Sequence, residues 1–174
     1  MKNIQLTSLE EGSAGLSPRM GGFLAEAASV CFDHHGHPNI LQLHCSGHYQ
    51  EIYEITCTTL HEHSKNSFAD LQESTEYGAC GVALSIIKAE TPLITKRSYK
   101  GTGFDYWLGS STEGFPFQES ARLEVSGIIA GSKAQADYRL QEKLDQMQPT
   151  DHLGMPGIAV VVEFSNPLTS TGSR

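Results

Sequence analysis

Basic residues are scarce. Twelve lysines and arginines face twenty aspartates and glutamates, for a net charge of −8. That balance argues against a protein that grips nucleic acid alone over a broad surface, because neutralised phosphates dominate such affinity. Lys96, Arg97 and Lys100 form the tightest cluster. No apolar run approaches the length of a bilayer span. The stretch MKNIQLTSLEEGSAG carries no apolar core of a secretory signal, so a cytoplasmic chain with no membrane role is expected. The four cysteines form no C-x-x-C pair, which argues against a zinc ribbon and leaves free, partly buried thiols.

Other absences narrow the chemistry. Gly101-Thr102-Gly103 stands before a strand rather than between strand and helix, so it is no dinucleotide or phosphate loop; a tight turn or bulge is expected there. Ser110 and Ser111 lie in no G-x-S-x-G elbow. The eight histidines include His34, His35 and His37 in one turn and His61 and His63 around Glu62, but no H-E-x-x-H or Cys/His quartet. They read as surface loop residues.

The 174 residues fit a single domain. Residues 1–15 are polar and read as a loose arm. Residues 16–65 read as an N-terminal helix, N-capped by Ser17 with Pro18 at its first position, followed by an antiparallel hairpin turning at residues 46–48. From residue 66 the pattern is a long helix, three strand-like runs (PLITKRSY, GFDYWLG and ARLEVSGIIAG), a helix opened by Ser132, and the apolar strand GIAVVVEFS. The tail NPLTSTGSR reads as frayed. The order implies an α/β fold with a central mixed sheet flanked by helices. Its last strand joins the meander after a helical crossover, and the N-terminal helix and hairpin extend the core.

Two of these strands carry a carboxylate opposite their apolar face. Side chains alternate along a strand, so Asp105 and Trp107 oppose Phe104, Tyr106 and Leu108, while Arg122, Glu124 and Ser126 oppose Leu123 and Val125. Paired as a hairpin through the loop SSTEGFPFQES, the strands bring Asp105 and Glu124 together. Adjacent carboxylates repel unless a cation lies between them, and hard oxygen donors favour Mg²⁺ or Mn²⁺. The backbone carbonyl of Val125 is a further candidate ligand. Glu76, or Glu73 one turn earlier, is placed to approach the pair from the preceding helix. Trp107 is expected to pack beneath that helix, with base stacking as its alternative use.

A helix glutamate, the aspartate of GFDYWLG, the glutamate of RLEVSG and a following helix together resemble the PD-(D/E)XK nuclease superfamily, with its restriction-endonuclease-like fold. The resemblance runs from about Asn66 to Phe164, with residues 66–165 as the nuclease-like core. The wider string KGTGFDYWLG…ARLEVSGI…VVVEFS is also similar to a group of bacterial proteins. The resemblance implies a metal-dependent phosphodiesterase acting on nucleic acid, with Asp105 and Glu124 on the metal and Glu76 positioning it or its water. It also implies a lysine at position 126, where this chain has Ser126. A serine hydroxyl is neutral and cannot offset transition-state charge. Arg122, Lys100 and Lys133 are the candidate replacements, Arg122 first because it shares a strand face with Glu124. The acidic balance and the missing lysine imply help from a homodimer or protein partner in holding substrate. The competing class is a catalytically degenerate interaction or regulatory subunit built on the same fold.

Overall fold

The computed structural model describes residues 1–12, 14–111 and 117–174. Eight strands form one mixed sheet: β1 (Lys2–Gln5), β2 (Ile40–Gly47), β3 (Glu51–Thr56), β4 (Ile94–Arg97), β5 (Tyr106–Ser110), β6 (Gln118–Ile128), β7 (Gly157–Glu163) and β8 (Leu168–Ser173). Their order across the sheet is β1-β3-β2-β8-β7-β6-β5-β4. β4, β5 and β6 are the expected antiparallel meander, and β7 lies parallel to β6 after a helical crossover. Every residue of β7 is buried, Ile158 to Val162 as an apolar run and Glu163 with its carboxylate accepting the amides of Gly131, Ser165 and Asn166.

Among the described residues four α-helices flank the sheet: α1 (Pro18–His34), α2 (Glu62–Ser67), α3 (Leu71–Glu90) and α4 (Lys133–Gln146). Ser17 caps α1 by accepting the Met20 amide, and Ser132 caps α4 in a reciprocal box with Gln135. The helix expected from residue 66 begins instead at Leu71, because Asp70 accepts the amides of Gln72 and Glu73 and starts a new helix there.

α1 and α3 cover the face that carries Leu123 and Val125, within the main core. Their approach is close because a Cβ at Gly81 would stand 2.5 Å from the Leu24 carbonyl oxygen. α3 also rests on β6, where a Cβ at Gly127 would stand 2.5 Å from the Thr75 carbonyl oxygen. α4 covers the other face, with Leu140 and Leu144 against Gly172 of β8.

Both chain ends depart from expectation. Residues 1–12 are β1 and a 3-10 turn, with Ile4, Leu6 and Leu9 buried, rather than a loose arm. The tail is β8, hydrogen-bonded between β7 and β2, rather than frayed. Its buried residues are polar (Thr169, Ser170 and Thr171), which is why no apolar pattern announced it. The Thr171 hydroxyl donates to the Ser46 carbonyl and accepts the Tyr49 amide, tying β8 to the hairpin turn.

The four cysteines are free thiols. His35 and His37, just beyond α1, bond the carbonyls of Ile129 and Phe164 and so tie the helix end to the sheet. Among the described residues no helix is long and apolar enough to cross a membrane.

Candidate functional site

The expected aspartate strand, GFDYWLG, begins three residues late. β5 starts at Tyr106, and Asp105 precedes it. The ladder nevertheless continues through Asp105, whose amide donates to the Leu123 carbonyl at 2.9 Å and whose carbonyl accepts the Ser98 amide at 2.9 Å. Tyr106 pairs with Leu123, so the next step outward sets Asp105 beside Glu124. Two glycines with positive φ, Gly101 at 92° and Gly103 at 81°, form the turn that delivers the aspartate. Residues 112–116 of the loop joining the two acidic strands lie outside the described residues.

The two carboxylates converge. Asp105 Oδ2 accepts the Val125 amide at 3.0 Å, and Arg97 stands 3.3 Å from Oδ1. Glu124 is only 3% exposed, and its Oε1 accepts from Lys143 Nζ at 2.7 Å and Gln146 Nε2 at 3.0 Å. Burial first, and then the neighbouring charge of Asp105, push the Glu124 carboxyl up from 4.5 to about 7, against the opposing pull of Lys143. Glu124 is therefore poised between its acid and base forms near neutral pH.

Both acids line a cavity of about 920 Å³. Four cations, Arg97, Lys100, Arg139 and Lys143, share its walls with three carboxylates, Glu76, Asp105 and Glu124. The cavity is thus locally basic within a chain of net charge −8. Cys80 also lines it, but burial pushes its thiol up to about 12, so it is no nucleophile at neutral pH.

The remaining candidates divide. Ser126 lines the cavity, where Arg139 Nη1 donates to its hydroxyl at 3.4 Å. Lys100 lines it from the glycine turn. Glu76 reaches the wall, but from α3 on the opposite sheet face, and is exposed rather than joined to the pair. Glu73 takes a hydrogen bond from the Tyr77 hydroxyl instead. Among the described residues no three His, Cys, Asp or Glu side chains gather as a metal site. Trp107 pairs across the sheet with Arg122, on the face away from α3, and packs edge-on to Phe104 at 4.6 Å rather than beneath the helix.

Arg122 is not the replacement cation. It shares the Glu124 face but is 1% exposed. Its guanidinium donates to the carbonyls of Met147 and Met155, to the Thr150 hydroxyl and to Asp151. It fastens the turn after α4 to the sheet. Lys133 pairs with Asp137 on its own helix and does not line the cavity.

The cation that does meet Glu124 is Lys143, which is not among the candidates expected from the sequence. Arg139, Lys143 and Gln146 recur at i, i+4 and i+7, so one stripe of α4 faces the cavity. The neighbouring stripe of Ala136, Leu140 and Leu144 is the apolar side of the same helix. That polar periodicity beside an apolar one was the available signal.

The donors at the pair suit a hard divalent cation. Both side chains offer oxygen, the donor type that hard cations prefer, although Lys143 and Arg97 already stand beside them. Compared with protein-family models, curated proteins and solved structures, the chain matches none of them.

Proposed function

We propose that the chain is a metal-dependent phosphodiesterase of nuclease type. The observation that supports this reading is the convergence of Asp105 and Glu124, with Lys143 2.7 Å from Glu124, on the wall of a basic cavity. Asp105 and Glu124 would hold Mg²⁺ or Mn²⁺, with the Val125 carbonyl as a further oxygen. The bound ion would supply Lewis-acid activation of water and of the scissile phosphate.

The chain's own groups have distinct parts. The Val125 amide fixes Asp105 by occupying one carboxylate oxygen. Lys143 takes the place in charge that Ser126 leaves open, offsetting negative charge that grows on the phosphate. Arg97, Lys100 and Arg139 draw the phosphate into the cavity. Glu76 stands on the wall, where it can orient water at a distance from the pair.

The test is cleavage of DNA and RNA with Mg²⁺ or Mn²⁺. Cleavage that needs the metal and is lost in Asp105→Ala and Glu124→Ala is the expected result. Nucleic acid left intact under all these conditions refutes the reading.

One observation favours the second reading, a catalytically degenerate subunit that binds a protein partner. Glu124 Oε1 already accepts from both Lys143 and Gln146, so an ion pair stands where a metal would bind. An intact fold that binds a partner and shows no affinity for Mn²⁺ is the result that selects it.

A further inference from the structure

The cavity mouth carries aromatic rings that the chemistry above does not use. Tyr77 and Tyr99 both line the cavity, and they are 37% and 79% exposed. A tyrosine ring left in water forgoes the burial that usually stabilises it. Tyr77 is braced from behind: Phe23 meets it edge-on at 4.8 Å and is itself packed on Phe68 at 5.1 Å. Tyr99 opens the glycine turn that ends at Asp105. One ring thus sits on a rigid helix and the other on a turn that leads directly to the acid pair.

The charges around these rings suit one strand of nucleic acid and not two. The cavity cations are Arg97, Lys100, Arg139 and Lys143. Lys2, Lys65, Lys88, Lys96 and Lys133 lie outside the cavity, each beside a carboxylate as Arg97, Arg139 and Lys143 are within it, so the cavity wall is the surface where four cations stand together, enough for one short stretch of backbone. Glu73 and Glu76 flank Tyr77 on α3 and repel a further row of phosphates. A volume of about 920 Å³ is that of a pocket for a small molecule or a few nucleotide units. Stacking rings beside a short cationic track are the physical means of holding unpaired bases.

We infer that the substrate is single-stranded nucleic acid, with bases stacked on Tyr77 and Tyr99 and the phosphate led between Arg97, Lys100 and Arg139 to the acid pair. The inference rests on the phosphodiesterase reading for its chemistry but not for its binding. Binding is therefore measured without metal, in EDTA, by fluorescence anisotropy of a labelled eight-residue oligothymidylate. The comparison ligands are a duplex of equal length and an abasic strand of equal charge.

The expected result is at least about tenfold tighter binding of oligothymidylate than of either comparison ligand. Tyr99→Ala and Tyr77→Ala each weaken it about fivefold or more, and Tyr99→Phe restores it. Equal binding of the duplex or the abasic strand overturns the inference, as does unchanged affinity in both alanine variants. Metal-dependent cleavage that prefers duplex also overturns it while leaving the phosphodiesterase reading standing. Selective, tyrosine-dependent binding without cleavage under any metal supports the inference and refutes that reading instead.

Discussion

Lys143 Nζ lies 2.7 Å from Glu124 Oε1, joining α4 to β6 across the wall of the cavity. The pair brings a cation to a carboxylate that is almost fully buried. It explains how a chain with Ser126 on the acidic strand can still present positive charge beside its acids.

Replacing Lys143 by methionine keeps the bulk of its stem and removes the charge. Cleavage is expected to fall about 100-fold or more, the scale seen when one preorganised electrostatic donor is lost. Lys143 lowers the Glu124 pKa, so its removal raises that value and shifts the acid limb of the kcat/KM profile to higher pH. Adding Ser126→Lys in the same chain is expected to recover about tenfold of the loss. Steady-state kinetics across pH checks all three outcomes.

Glu124 makes the fold sensitive to pH. Its carboxyl ionises near 7 in the folded chain and near 4.5 when free. Between these values the folded state binds more protons than the unfolded state, so stability falls as pH rises and the loss is complete above 7. The upper bound is roughly 3–4 kcal/mol, from about 2.5 pH units at about 1.4 kcal/mol each. Glu124→Gln is expected to match wild type at pH near 4.5 and to exceed it by about 1–3 kcal/mol above pH 8. Urea unfolding in EDTA at the two pH values measures the difference.

Arg122 holds structure. Arg122→Met strips donors from two carbonyls, a hydroxyl and Asp151, at a site 1% exposed. A loss of about 2–4 kcal/mol is expected, because buried acceptors lose their partner. Asp151 keeps Arg174 at 2.6 Å, which limits the damage. Cleavage per folded molecule stays within about threefold of wild type, as for a change away from the reacting groups. Denaturation curves and activity at low temperature separate the two effects.

Gly127 sets the seat of α3. A methyl there meets the Thr75 carbonyl oxygen at 2.5 Å, and backbone cannot yield as a side chain can. Gly127→Ala is expected to destabilise by about 1–3 kcal/mol through overpacking, seen as a lower Tm.

The acid pair was legible because a strand's alternation depends only on its own sequence. The apolar residues of GFDYWLG and RLEVS left Asp105 and Glu124 with nowhere else to point. The order of α3, β4, β5, β6, α4 and β7 was equally local, written in periodicity and caps. What was hidden depended on partners distant in sequence. β8 has no apolar stripe and is ordered by Ser46, Tyr49 and its neighbouring strands. Arg122 was correctly assigned its face, but the turn at Met147 to Asp151 that covers it comes from beyond α4. Lys143 reaches Glu124 only because Leu140 and Leu144 dock α4 on Gly172.

The proposal that the acid pair binds a metal is tested most directly by titrating Mn²⁺ calorimetrically at pH 7 in two buffers of different ionisation enthalpy. A cation between Asp105 and Glu124 lowers the Glu124 pKa, so binding is expected to release about half a proton, the fraction held at a pKa near 7. Asp105→Ala is expected to weaken the binding, and Glu124→Gln to abolish the proton release. No Mn²⁺ binding, or binding with the same affinity and proton count in both variants, would contradict the account.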